Sequence, residues 1–188
     1  MKTSKKEIRD IFKAWLAISI AFAIALSHST FGNIIITFIL AAITVGIGFL
    51  LHELAHKYFA QRYGYLAEFR SFDAMLFLAV IFSFFGFVFA APGAVMIHGN
   101  LNKKKNGIVS LAGPLTNLIL ALIFLFITLI FSSGFLNMMG NYGYRINTWL
   151  AVFNMIPVWN FDGKKVFDWN KVVYFAFVVI ALVFLFSF

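Results

Sequence analysis

The stretch from Ile34 to Leu51 carries no charged residue and ends directly in His52-Glu53-Leu54-Ala55-His56. An apolar run of this kind, at about 20 residues per crossing, reads as a membrane-spanning helix. The full run continues to Ala60, and other apolar runs cover Ile11 to Leu26, Ala74 to Val95, Ile108 to Phe131, Ile146 to Phe161 and Val172 to Phe188. With 62% hydrophobic residues, 12% charged residues and a mean hydropathy of +0.93, the chain is too apolar for an ordinary soluble domain. The fold class expected is an all-α polytopic membrane protein of five to six transmembrane helices, forming one membrane domain over residues 1–188. The phenylalanines, 26 in number, fall mostly inside the apolar runs, where packing explains them.

The net charge of +8 could suggest nucleic acid, but the cations cluster beside the apolar runs, where topology signals belong. No nucleic-acid partner is expected; the lipid bilayer is. Lys2, Lys5, Lys6 and Arg9 precede the first run, which is read as a retained span with Lys13 snorkelling to the interface, since no clear cleavage pattern stands around Ser27 to Thr30. The run Ala74 to Val95 decides the topology. If it crosses, Lys103, Lys104 and Lys105 lie opposite the N-terminal lysines. If it dips and returns, the N-terminus, Lys57 to Arg70, Lys103 to Lys105 and Lys164 to Lys171 all face one side, and only Arg145 is left outside. Gly86, Pro92 and Gly93 favour the bend, so a re-entrant segment is preferred. The expected location is the plasma membrane, multi-pass, with a cytoplasmic N-terminus.

His52 and His56 stand four residues apart, on one face of a helix, where two imidazoles can grip one metal ion. Glu53 points about 100° away from His52, which suits a carboxylate that holds a water and takes its proton. Ionisable groups at membrane depth are costly, about 3 kcal/mol each on insertion scales, and a metal would offset that cost. Cysteine is absent, so a third ligand must be His, Asp or Glu. His28 and His98 read as interfacial; Glu68, Asp73 and Asp168 sit among cations and read as solvated. Asp162 differs. It closes the fifth run, where Pro157 and Gly163 would loosen the helix, and it approaches the same depth as the histidine pair.

The pattern H-E-x-x-H followed by N-x-x-P-x-x-x-x-D-G, here Asn154 to Gly163, resembles the site-2 protease family of intramembrane zinc metalloproteases, of the archaeal and bacterial type without a peptide-binding insert. Between the two patterns, Ala112-Gly113-Pro114-Leu115-Thr116-Asn117 is similar to the family's small-residue helix motif. The resemblance implies that His52, His56 and Asp162 hold one zinc ion per chain and that Glu53 is the catalytic base. It places Asn154 and Asn117 near the site, in packing or in contact with the substrate backbone; for Asn154 an interhelical hydrogen bond weighs equally with substrate contact. Gly113 and Pro114 are expected to serve close helix packing, with Gly163 beside Asp162. It also implies a β-like hairpin between the first two motifs, with Phe89 to Ile97 as the counterpart here. The function expected is hydrolysis of peptide bonds within or near transmembrane segments of membrane-protein substrates, in regulated intramembrane proteolysis, at a site within the bilayer near the cytoplasmic side. The rival readings are an inactive zinc-binding scaffold, against which Glu53 argues, and a metal or proton transporter, against which the concentration of polar groups at one depth argues. The pattern sets no oligomeric state.

Overall fold

The computed structural model describes residues 1–27, 33–88 and 92–187. In chain order the elements are α1 (Lys5–Leu26), α2 (Ile34–Ala41), a π-helical turn (Ala42–Gly46), α3 (Ile47–Arg62), β1 (Leu66–Ser71), α4 (Asp73–Ser83), β2 (Gly93–His98), α5 (Lys103–Ile130), α6 (Gly134–Asn154), α7 (Asp162–Trp169) and α8 (Lys171–Phe186). Helix dominates, as the apolar runs require. Among the described residues, Ile34–Arg62 and Lys103–Ile130, of 29 and 28 residues, are long and apolar enough to cross a membrane. Between α3 and α5, where a re-entrant or β-hairpin-like segment is expected, β1 and β2 form a two-stranded sheet. Leu66-Ala67-Glu68-Phe69-Arg70-Ser71 alternates at period two, and Ala67 and Phe69 are its buried positions; that alternation makes a strand rather than a helix.

Contacts gather the chain into two compact units, Met1–Leu50 with Glu68–Met96, and Leu51–Ala67 with Ile97–Phe188. In the first, Ser4 caps α1 by accepting the Glu7 N–H at 3.2 Å, as Ser and Thr do at helix starts. Ala14, Phe69 and Leu76 form its core, with Ile11, Ala17, Phe49 and Val95 packed around them. The Trp15 indole N–H donates to the Ala42 carbonyl at 3.1 Å, a carbonyl in the widened π-turn, where the regular helix ladder is interrupted. Glu7 and Asp10 are buried. The Glu7 carboxylate accepts the Phe69 N–H at 2.9 Å, Lys13 reaches Asp73 at 2.6 Å and Asp10 at 3.6 Å, and Arg70 pairs with Asp10 at 3.7 Å and with Glu68.

The run from Ala74 to Val95 is not one helix. Its helical part, α4, has 11 residues, about 16 Å of rise, half of a hydrocarbon core. The Phe72 N–H donates to the Pro92 carbonyl at 3.1 Å, so the chain leaves and returns at one point. Of the expected hairpin stretch, Phe89 to Ala91 lie outside the described residues, while Gly93 to Ile97 belong to β2. Its partner β1 is an element that the sequence reading did not contain. His28 also lies outside the described residues.

In the second unit α5 and α6 pack closely. Gly140 and Gly143 face Thr128 and Phe124 with no room for a side chain, the small-residue packing of membrane helices. Asn102 caps α5 through the Lys105 N–H at 2.9 Å, and Asn170 caps α8 through Val172 and Val173. Leu118, Ala151, Met155, Val166, Tyr174, Phe177 and Ala181 make its core. The fifth apolar run is corrected at both ends. Its helix begins at Gly134 and stops at Asn154; Pro157 stands in the connection that follows, and Asp162 opens the separate helix α7.

Candidate metal centre

Three side chains from two elements of the second unit converge. His52 and His56 come from α3, one turn apart, and Asp162 is the first residue of α7. Their ligand atoms all lie within 4.8 Å of one another, and all three residues are buried. The two histidine Nε2 atoms are 3.0 Å apart, and Asp162 Oδ2 lies 3.3 Å from His52 Nε2 and 3.1 Å from His56 Nε2. These separations match the edge of a tetrahedron about a metal with bonds of about 2.0–2.1 Å, which is about 3.3 Å.

The opposite ring nitrogens are already engaged. His52 Nδ1 lies 2.6 Å from the Asn117 side-chain oxygen, and His56 Nδ1 lies 2.8 Å from the Val109 carbonyl. Both partners are acceptors, so each Nδ1 carries a hydrogen and each Nε2 presents a lone pair. Two lone pairs at 3.0 Å, with a carboxylate oxygen beside both, repel unless a cation or proton lies between them. The donor set therefore fits a metal ion, and nitrogen and carboxylate ligands without thiolate suit zinc.

The outer contacts extend inward along the helix pair. The Asn117 amide donates to the Asn147 oxygen at 3.0 Å, and the Asn147 amide donates to the Gly143 carbonyl at 2.9 Å within α6. Both asparagines are fully buried. This chain, His52 to Asn117 to Asn147 to Gly143, fixes the ring orientation of one ligand, the arrangement by which outer groups tune metal sites. For His56 the orienting group is backbone. Pro114, buried inside α5, removes the donor that Ser110 would receive and loosens the carbonyls of that turn, and Val109, next to Ser110, serves His56.

Gly113 stands where α5 approaches the histidine pair of α3. A Cβ built there would lie 2.5 Å from His56 Nε2 and 2.6 Å from His52 Nε2, filling the space toward which both lone pairs point. Gly163 packs against the Met155 backbone with no room for a Cβ, which lets the Asp-Gly turn bring Asp162 under the end of α6. Lys165 stands 3.8 Å from the other Asp162 oxygen. Glu53 is half-buried on α3, within electrostatic range of His56.

The other expected residues are not brought to this point. The Asn154 amide donates to the Leu150 carbonyl at 2.9 Å within α6, an intrahelical bond where an interhelical one was weighed. His98 is exposed at the end of β2. Glu68, Asp73 and Asp168 are paired with Arg70, Lys13 and Lys164. Asn147 and the Val109 carbonyl are members of the site that the sequence reading missed. The spacing Gly143, Asn147, Ala151 offered a signal, because it sets small and polar residues at every fourth position along one helix face.

Comparison with known proteins agrees with the geometry. The chain is 43% identical over 174 residues, 91% of this chain and 88% of the relative, to a Methanocaldococcus jannaschii protein named "Putative zinc metalloprotease MJ0611". It is 27% identical over 150 residues, 67% of this chain and 66% of the relative, to a Bacillus subtilis protein named "Putative zinc metalloprotease YwhC". No protein-family model matches the sequence, and no solved structure matches it.

Proposed function

Since this chain belongs to a family of zinc metalloproteases, we propose that it is an intramembrane protease of the site-2 type, cleaving peptide bonds within or near transmembrane segments of membrane-protein substrates. The observation that supports this most is the meeting of Asp162 with His52 and His56, which lie on a helical run, Ile34–Arg62, long and apolar enough to cross a membrane. His52, His56 and Asp162 would hold zinc. Bound there, zinc would lower the pKa of a water to about 7 and polarise a carbonyl oxygen.

Glu53 takes the proton from the attacking water and can return it to the leaving amine as the C–N bond breaks. Asn117 and the Val109 carbonyl keep both Nε2 lone pairs available, and Gly113 keeps the space before them open. Because a helical substrate pairs its own carbonyls, it must unwind locally before attack, so helix-breaking residues near the scissile bond favour cleavage.

In the topology proposed, α1, α2 with α3, α5, α6 and α8 cross, α4 re-enters, and the cationic segments all face the cytoplasm. The Phe72 to Pro92 hydrogen bond supports the re-entrant reading. The site then lies within the bilayer near the cytoplasmic side. The test is cleavage of a panel of single-span peptides by the purified full chain, with Glu53→Gln as control. Cleavage by the wild type and none by the variant is expected; activity that survives Glu53→Gln removes the assigned base. Zinc content without cleavage of any peptide would favour the inactive scaffold. External labelling of a cysteine placed at Lys104 would remove the five-span topology.

A further inference from the structure

Helix α6 contains Arg145, a cation that the sequence pattern set outside the spans. Gly140 packs at Thr128 and Phe124, Gly143 at Phe124, and Asn147 bonds Asn117. The two helices are therefore antiparallel, and Arg145 lies level with the α5 turn between Asn117 and Phe124. At that level and on both sides of it, α5 exposes Leu115, Ile119, Leu122, Ile123 and Phe126, the lipid-facing stripe of a crossing helix. From Arg145 to the end of α6 at Asn154 is about 13 Å of rise at 1.5 Å per residue. Arg145 thus stands near the middle of α6, about 16 Å of rise from its start at Gly134, and it is exposed. It makes no ion pair among the described residues.

Asn141, Arg145, Trp149 and Phe153 follow one another at helical spacing on this face, which is polar in its outer half and aromatic below. Trp149 stacks on Phe153 at 4.9 Å, and Phe153 meets Phe161 edge-on at 5.1 Å. Phe161 directly precedes the ligand Asp162. Helical spacing carries the face from Arg145 to Trp149, and the ring contacts carry it on to Phe161 beside Asp162. A charged side chain midway along a crossing helix that faces neither a partner nor water marks a surface that another polar group covers.

The chain cannot supply that group. Of its seven Asp and Glu, Asp162 and Glu53 belong to the H-E-x-x-H centre, Asp168 pairs with Lys164, and Glu7, Asp10, Glu68 and Asp73 are engaged around α1 and β1. A second copy would bring no carboxylate to the Arg145 level. We infer that this face of α6 docks the transmembrane helix of the substrate, and that Arg145 selects helices bearing an acidic side chain in their outer half. The inference rests on the intramembrane protease reading for the membrane depth and the kind of partner.

The experiment measures binding apart from cleavage. Full-length Glu53→Gln protein in liposomes is titrated with labelled single-span Leu/Ala peptides carrying Asp, Asn, Lys or Leu stepped through the outer half, and energy transfer reports docking. The Asp peptide is expected to bind at least about tenfold tighter than the Leu peptide at one register, with Arg145→Glu reversing the preference toward Lys. Should charge reversal disturb the helix, seen as lost zinc, Arg145→Gln is expected to lose the Asp preference without gaining one for Lys. Equal binding of all peptides, or a preference that survives both substitutions, overturns the inference. So does self-association that depends on Arg145, which would assign the face to a second copy. Wild-type cleavage without charge preference overturns the docking face and leaves the protease reading standing. Charge preference without wild-type cleavage of any peptide upholds the face and removes the protease.

Discussion

Glu7 and Asp10 in the first unit, and His52, His56 and Asp162 in the second, are all ionisable groups taken out of water, yet their surroundings differ in kind. Around α1 and β1 the charges close on themselves. Glu7 receives a backbone N–H, and Asp10 has Lys13 and Arg70 near it. Around α3 and α7 the outer atoms are satisfied by Asn117 and Val109 while three electron pairs are aimed at one small space. Burial of polar groups alone does not identify function. A cluster whose charges sum locally holds the fold together, whereas one whose acceptors converge is incomplete without a cation.

The largest effect that would break this contrast is on metal. His56→Ala or Asp162→Ala is expected to leave less than one zinc per chain and to abolish peptide cleavage, while Glu7→Gln keeps full zinc. Metal analysis of the purified variants checks both arms, and zinc lost from Glu7→Gln would erase the distinction. Gly113→Ala comes next. Alanine is a better helix former than glycine by about 1 kcal/mol, so α5 should persist, while the added methyl occupies the space before both Nε2 atoms. Zinc affinity should fall by more than the about 10- to 100-fold typical of outer-shell changes. Unchanged affinity in a chelator titration would show that the cation sits elsewhere.

Much of the metal centre was legible in the chain, because its ligands obey helix arithmetic. Four-residue spacing joins His52 to His56, and Pro157 marks where the helix before Asp162 cannot continue. The positions that escaped depend on which helices touch. Asn147 reads as a polar residue in an unremarkable helix until Asn117 stands against it, and Val109 contributes a carbonyl that any residue type could offer. Gly113 reads from spacing as a close-packing glycine, and only the fold shows that what it packs against is the histidine pair. α6 was placed too late because its first half, with Asn137, Asn141 and Arg145, lacks the apolar signature by which spans are read. β1 was missed for the opposite reason: six residues of alternating pattern carry little weight beside the apolar runs.

A smaller effect sharpens the contrast within the second unit. Asn117→Leu removes the acceptor of the His52 Nδ1 hydrogen, and zinc affinity should drop about 10- to 100-fold. Asn147→Leu acts one link further out and should cost less, since Asn117 still faces His52. Chelator competition on the two variants orders them; a larger loss at Asn147 would mean that α6, rather than the amide chain, sets the site. In the first unit, Glu7→Ala leaves the buried Phe69 N–H without its acceptor, at about 1–3 kcal/mol. The loss should appear as lower thermal stability at unchanged zinc content.

The smallest effect concerns the exposed end of the same network. Hydrogen bonds from Lys13 and then Ser71, with the Lys13 and Arg9 charges behind them, lower the Asp73 pKa below its ordinary value. A carboxyl lowered on folding contributes stability above its unfolded pKa and loses that contribution as pH falls through the folded one. The Lys13 to Asp73 contribution should therefore be intact at neutral pH and disappear on the acid side of the ordinary carboxylate range. Because Asp73 is exposed, salt screens the pair and the effect should shrink as ionic strength rises. Melting of wild type and Asp73→Asn across that range should converge at low pH and separate slightly above it, and only in dilute salt. Zinc content should follow neither curve; if it did, the closed cluster and the open one would not be independent.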